Sequence, residues 1–304
     1  MLRPVKLAAR GGAAQGSEAI QSLREFAYDT ARARSSSPAW CIPAGGIAVA
    51  WFRKGNNFGD LLSPMLIEAA TGRRSLWVRP DFEGKVVAVG SVLAYARPGD
   101  VVVGSGLIRP QQLDLSRRVQ IIAVRGPLTA ALVGADKPGL LFGDPGMVAA
   151  EHLGITKAPV PEFDVALVPH SVDQALVRER VDTHPERDRI TVVDVHKPPR
   201  NVVDSIANAR VVISSSLHGI VVAESLGVPA VWTTISNRLA GGNFKFNDYF
   251  LGTGREAKSP VDLESALSQA LEGSVPAYLS DPTQMRQALR QLAFTCEQVK
   301  PSAR

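Results

Sequence analysis

Between residues 46 and 234 the chain alternates short β-branched apolar runs with stretches of helical period, and it does so in two series. The first series is IAVAWF, VVAVG, VVVGSG and IIAVRG; the second is DVALVPH, RITVVDV, RVVISSS and PAVWTT. A run with no polar face must be covered on both sides, which is how strands of a buried parallel sheet read. Parallel neighbours need long crossovers, and helices normally supply them. DLLSPMLIEAATG and GPLTAALVGA have that character in the first series; SVDQALVRER, RNVVDSIANA and LHGIVVAESLG have it in the second. Strand then helix, run through twice, predicts an α/β fold: two Rossmann-like lobes whose parallel sheets face a cleft.

The turn-rich segment LGITKAPVPEF separates the series and puts the lobe boundary at 155–162. The expected organisation is an N-terminal appendage over 1–40, lobes over 41–160 and 161–280, and a C-terminal helix and tail over 281–304. The last helix is expected to pack on the outside. In the appendage, Ile20, Leu23, Phe26, Ala27 and Ala31 fall at helical spacing. Such a helix packs on its own domain or makes peripheral contact with a membrane.

Composition narrows the classes. At 304 residues, 45% hydrophobic and 21% charged, the chain reads as a globular protein of one large or two ordinary domains. No apolar run approaches the roughly 20 residues that span a bilayer, and the N-terminus has no signal-peptide core. The net charge of +5 is spread over scattered arginines, and aromatics are only 6%. That argues against nucleic acid and for anionic small substrates or a membrane surface. Cys41 and Cys296 lie at opposite ends, which gives no disulfide framework or metal knuckle and suits a reducing cytoplasm. The five histidines form no HxH or HxxxH pattern. The expectation is no metal and no cofactor.

In such folds ligands bind beyond the carboxyl ends of the strands, so candidate chemistry is sought there. After the first strand, Asn56, Asn57 and Asp60 of FRKGNNFGD face the cleft; Asp60 is either a helix cap or a carboxylate that orients or deprotonates a hydroxyl. VVVGSGLIR fails as a dinucleotide fingerprint, because Arg109 stands where a third glycine is needed. Arg125 ends IIAVRGPLTAAL beside a helix start, a place suited to a carboxylate or phosphate. Asp144 begins a sharp turn and could hold a loop or an arginine, and His170 ends a later strand. The strongest junction is VVISSSLHGIVVAESLG. It gathers Ser214, Ser215, Ser216, Leu217, His218 and Gly219 where a strand becomes a helix. Free amides and hydroxyls there favour an anion, Gly219 gives room, and His218 adds an imidazole as proton donor. The serines do not form a hydrolase elbow, since G-x-S-x-G is absent.

These segments resemble the polysaccharide pyruvyl transferase family, in particular its xanthan-type exopolysaccharide ketal pyruvyltransferases. NNFGDLLS, AVGSVLAYARPGDVVVGSGL, VRGPLT, GDPGM, VPH, VISSSLHGIVVAESLGVPAVW and FKFNDYFLGTGR carry the likeness, in order, over residues 46–256. The resemblance implies a GT-B-like fold, phosphoenolpyruvate as co-substrate, no cofactor, and a lipid-linked oligosaccharide acceptor met in the cytoplasm at the inner membrane face. It implies pyruvyl transfer to a hexose as a cyclic ketal, with His218 as acid and Asp60 as base or acceptor orienter. Arg125 would be the principal anion clamp and His170 a second donor contact. Asn57, Asp144, Ser215, Ser216, Leu217 and Gly219 would line the substrate site. Some relatives carry arginine where Ser216 stands, so Arg255, Lys245 or Arg109 is expected to meet the remaining donor charge. FKFNDYFLGTGR would line the cleft through Asn247, Asp248 and Arg255, or be a surface loop. A nucleotide-sugar glycosyltransferase and a non-catalytic carbohydrate-binding subunit are the alternatives on the same scaffold.

Overall fold

A computed structural model describes residues 41–42, 46–53, 55–115 and 117–297. The N-terminal appendage, with the helix expected there, and the extreme C-terminal tail lie outside the described residues.

Two sheets form the frame. The first contains β1 (Cys41–Ile42), β2 (Gly46–Ala50), β3 (Arg74–Trp77), β4 (Val86–Val87), β5 (Val101–Val103), β6 (Gln120–Val124) and β7 (Leu141–Phe142). Its order is β3–β2–β4–β5–β6–β7, all parallel, with β1 antiparallel to the start of β2. The second contains β8 (Phe163–Val168), β9 (Ile190–Val192), β10 (Ala209–Ser214), β11 (Ala230–Thr234) and β12 (Val261–Asp262). It runs β12–β11–β10–β8–β9, again parallel. The fold is α/β, as the sequence pattern predicts, and the two sheets are wound alike. In each, the first strand of the parallel series sits between the second and the third, the flavodoxin-like form of the doubly wound sheet. The switch points therefore fall between β2 and β4 and between β8 and β10.

The helices are α1 (Phe58–Thr71), α2 (Pro127–Leu132), α3 (Ala149–Leu153), α4 (Gln174–Asp182), α5 (Pro199–Ala207), α6 (Leu217–Ser225), α7 (Phe244–Gly252), α8 (Leu263–Glu272) and α9 (Thr283–Glu297). The start of α1 corrects one expectation. Asn57, not Asp60, is the cap: its side chain accepts the Gly59 N–H at 2.9 Å. The Asp60 carboxyl in the first turn is left for other work. Gly72, in the left-handed region at φ 63°, ends the helix.

One core runs through both lobes. It joins Val49 and Val103 of the first sheet to Ala166 and Val212 of the second through Leu62, Ile220 and Phe246. The Phe58 N–H donates to the Val195 carbonyl at 2.9 Å, tying the start of α1 to the second lobe. The last helix is not an external addition. On α9, Met285, Ala288, Leu289, Leu292 and Cys296 are buried, and the helix packs back on α1, β5, β6 and β7.

The FKFNDYFLGTGR segment is neither a loop nor an open cleft wall. It forms α7, with Phe246, Tyr249 and Phe250 buried and Phe246 stacked on Trp232 at 4.3 Å. Its other side docks on the end of β6, where the Asp248 carbonyl lies so close that Gly126 has no room for a Cβ. Gly126→Ala should push α7 off this seat and cost about 2–3 kcal/mol by overpacking. Urea unfolding of the variant measures it.

Candidate active site

The two switch points meet. His218, the second residue of α6, extends from the end of β10; the first turn of α1 follows β2. A Cβ on Gly59 would overlap the His218 Nδ1, so the backbone of α1 lies directly on the imidazole. Phe58 meets the ring edge-on at 6.5 Å between centroids. On the other side, His218 Nε2 lies 3.6 Å from Asp144 Oδ2. Asp144 ends the β7 connection, and its other oxygen accepts the Gly146 N–H at 2.9 Å.

Charged groups gather around this ring. Burial raises the Asp60 carboxyl to a pKa of about 6, opposed by the charges of His218 and Lys245 and reinforced by Asp144. Burial lowers Lys245 of α7 to about 8; neighbouring Arg125 lowers it further, and Asp60 pulls it back up. His170, at the end of β8, is pressed down to about 4 by burial and by the charges of Lys245 and His218, against Asp173. Near neutral pH it is uncharged. Its Nδ1 accepts the Val172 N–H at 3.4 Å, which leaves Nε2–H as the donor.

The hydroxyls of Ser214 and Ser215 build the junction. Ser214 Oγ donates to the Val168 carbonyl at 2.7 Å and accepts the Ser216 N–H at 3.0 Å. Ser215 Oγ accepts the His170 N–H at 2.9 Å, so it couples the two strand ends. Ser216 stands at the cap position of α6 without a side-chain cap bond. Leu217 is buried in the core, and Gly219 packs against Ser214 Oγ.

With this geometry in place, comparison with known proteins is decisive. The family model described as "Polysaccharide pyruvyl transferase" matches residues 81–237, just over half of the 304. The chain belongs to the polysaccharide pyruvyl transferase family. It is also similar to the "Succinoglycan biosynthesis protein ExoV" of Rhizobium meliloti (strain 1021), 29% identical over 66% of this chain and 62% of ExoV. It is 26% identical to "Uncharacterized protein L143" of Acanthamoeba polyphaga mimivirus, over 67% of this chain and 73% of that protein. The chain thus spans under two thirds of the length of ExoV.

The family match contains Arg125, Asp144, His170 and His218, but it begins after Asp60 and stops before Lys245. Folding brings those two into the polysaccharide pyruvyl transferase segment from either side. Other expected residues stand differently. Arg125 has no exposed surface. Its guanidinium donates to Asp248 at 3.0 Å, Ser91 at 2.8 Å and the Leu107 carbonyl at 2.6 Å. A clamp open to an incoming anion is therefore not what this structure presents; Arg125 underlies the site and holds α7 through Asp248. Arg255 is held by both oxygens of Glu224, at 2.6 and 2.9 Å, and stacks over Tyr278 at 4.0 Å, so its charge is already paired within the protein. Asn247 pins the Lys258 N–H at 2.8 Å, and Asn57 is occupied as the α1 cap. Arg109 is exposed on a segment pressed by Gly241.

Two neighbours escaped the sequence reading. Ser91, just past β4, receives Arg125, and the tyrosyl pKa of Tyr95 is raised by burial and by Asp60. Ser91 sits at a strand end of the switch point, so the same rule applied to VVAVG would have found it.

Asp60 carries a testable cost. Its folded pKa lies above the 3.8 of the free carboxyl, so the native state binds more protons, and stability falls as pH rises from about 4 to 6. Asp60→Asn removes that charge. It should stabilise the fold by about 3 kcal/mol above pH 6 and by nothing below pH 4, as read by denaturant unfolding at both pH values.

Proposed function

We propose that the chain transfers a pyruvyl group from phosphoenolpyruvate to two hydroxyls of a hexose in an exopolysaccharide repeat unit, forming a cyclic ketal and releasing inorganic phosphate. The observation that carries this reading is the imidazole of His218 set against the Asp144 carboxylate, with the Asp60 carboxyl near enough to feel its charge, where the sheet ends meet. Family membership and the likeness to a protein of succinoglycan biosynthesis support the class of reaction and acceptor.

The chemistry follows from the donor. His218 gives a proton to the methylene carbon, and the neighbouring carbon becomes electrophilic. One sugar hydroxyl attacks that carbon, with Asp60 taking its proton. The bond to phosphate breaks, and the second hydroxyl closes the ketal. Of the two hydroxyl protons, one replaces that given by His218 and the other leaves with phosphate. Lys245 and the amides at the start of α6 meet the donor's negative charge, with Arg125 adding to the positive potential from beneath. His170 supplies a neutral N–H donor. No cofactor enters these steps. The acceptor is a lipid-linked oligosaccharide met at a membrane surface. No helix of the described residues is long and apolar enough to cross a membrane.

The test is phosphate release from phosphoenolpyruvate with a panel of lipid-linked oligosaccharides. The reading predicts acceptor-dependent release; thermal stabilisation by a nucleoside diphosphate and none by phosphoenolpyruvate would reject it. Asp60 must be ionised and Lys245 charged. Turnover should therefore rise with pH through about 6 and fall through about 8. Lys245→Met should raise the KM for phosphoenolpyruvate about tenfold or more and flatten the alkaline limb, measured by the same assay.

A further inference from the structure

Two buried carboxylates elsewhere in this molecule are saturated, although Asp173 Oδ2 is not. Asp100 accepts from the N–H groups of Gly84, Lys85 and Arg97 at 2.7–2.9 Å and from Lys85 Nζ at 2.5 Å. Asp248 accepts from Arg125 and from both the N–H and the hydroxyl of Thr129. Asp144 differs. Its Oδ2 is buried without a hydrogen-bond partner, and so is His218 Nε2 opposite it. Their separation of 3.6 Å is about 0.5 Å beyond a hydrogen bond. Leaving two such atoms unpaired and out of water is costly, so their juxtaposition asks for a reason.

The ring cannot turn away to relieve it. The α1 backbone at Gly59 packs beside the Nδ1 edge, and Phe58 meets the ring edge-on. Nδ1 therefore looks toward the first turn of α1, where Asp60 stands with Oδ1 facing Gly90 at the end of β4. Nε2 looks into the protein, at Asp144.

We propose that Asp144 is a positioning residue, not a substrate contact: its Oδ2 takes the Nε2–H of His218, fixing the tautomer and leaving Nδ1 as the nitrogen that gives and retakes the proton. A carboxylate on one nitrogen stabilises the imidazolium and orients the ring without itself reacting. After Nδ1 delivers its proton, the neutral ring carries hydrogen on Nε2 only, and Nδ1 is ready to accept. The groups facing the ring are Asp144, Asp60 of α1, Lys245 of α7 and His170 beyond β8. This assignment rests on the transfer reaction proposed above for its use, but not for its geometry.

Nitrogen-15 NMR of histidine-labelled protein decides it. The His218 signals are identified by their loss in His218→Gln. In its neutral form the wild-type ring should show Nε2–H with Nδ1 unprotonated. Asp144→Asn keeps the oxygen that caps Gly146 but offers Nε2 an N–H donor, so the tautomer should switch to Nδ1–H. In the phosphate-release assay kcat should then fall about 100-fold, with the phosphoenolpyruvate KM within about twofold. A wild-type Nδ1–H tautomer overturns the proposal, as does an Asn variant with unchanged tautomer and kcat. A raised KM with intact kcat would make Asp144 a substrate contact and also overturn it. Should the variant fail to fold, the wild-type tautomer alone decides. Absence of any phosphate release by the wild type would reject the transfer reading, while the tautomer comparison would still judge the positioning role.

Discussion

The imidazole of His218 fits in one place, between the backbone of Gly59 and the carboxylate of Asp144, and the site is built outward from that contact. Two sheets wound in the same order bring like ends together, so that a helix start from each lobe arrives at the same point. Gly59 matters here for room rather than for backbone freedom, because a methyl group would displace the ring. Once the ring is seated, Asp60 follows as the next residue on α1. The end of β8 joins through the bond from the His170 N–H to Ser215.

A division of labour among buried charges follows. Lys85 with Asp100, and Arg125 with Asp248, are ion pairs without exposed surface whose oxygens are well supplied with donors. Such pairs are held by the cost of breaking them more than by net gain. They fix the sheet at one end and α7 at the other. Asp60, Lys245 and the His218–Asp144 pair are instead incompletely compensated, and burial is the first cause of the Asp60 and Lys245 shifts. Groups left in that condition are poised to exchange protons or bind an opposite charge, and they cluster at sites of chemistry.

Much of this frame was legible in the sequence because buried parallel strands are apolar on both faces. IAVAWF and RVVISSS announce β2 and β10 without help. β4, β7 and β12 are two residues each, too short for a pattern to accumulate. The strand-end rule pointed to the positions of His218 and Asp60, which the fold brings to one junction, since those positions depend only on local order. It misjudged Arg125 and Arg255, whose partners Asp248 and Glu224 lie 123 and 31 residues away in sequence. α7 was hard for a related reason. Lys245 and Asp248 are buried on a helix whose apolar residues already point into the core, so its polarity imitates a loop. What the linear pattern hides is which charges have already found each other.

The most direct test of the central claim is a structure of the protein with phosphoenolpyruvate bound. The account predicts the donor between the lobes, an anionic oxygen within hydrogen-bond distance of Lys245 Nζ, and the methylene carbon on the Asp60 side of His218. Density for the compound away from this junction, or a methylene turned from the imidazole with no route for its proton, would contradict it.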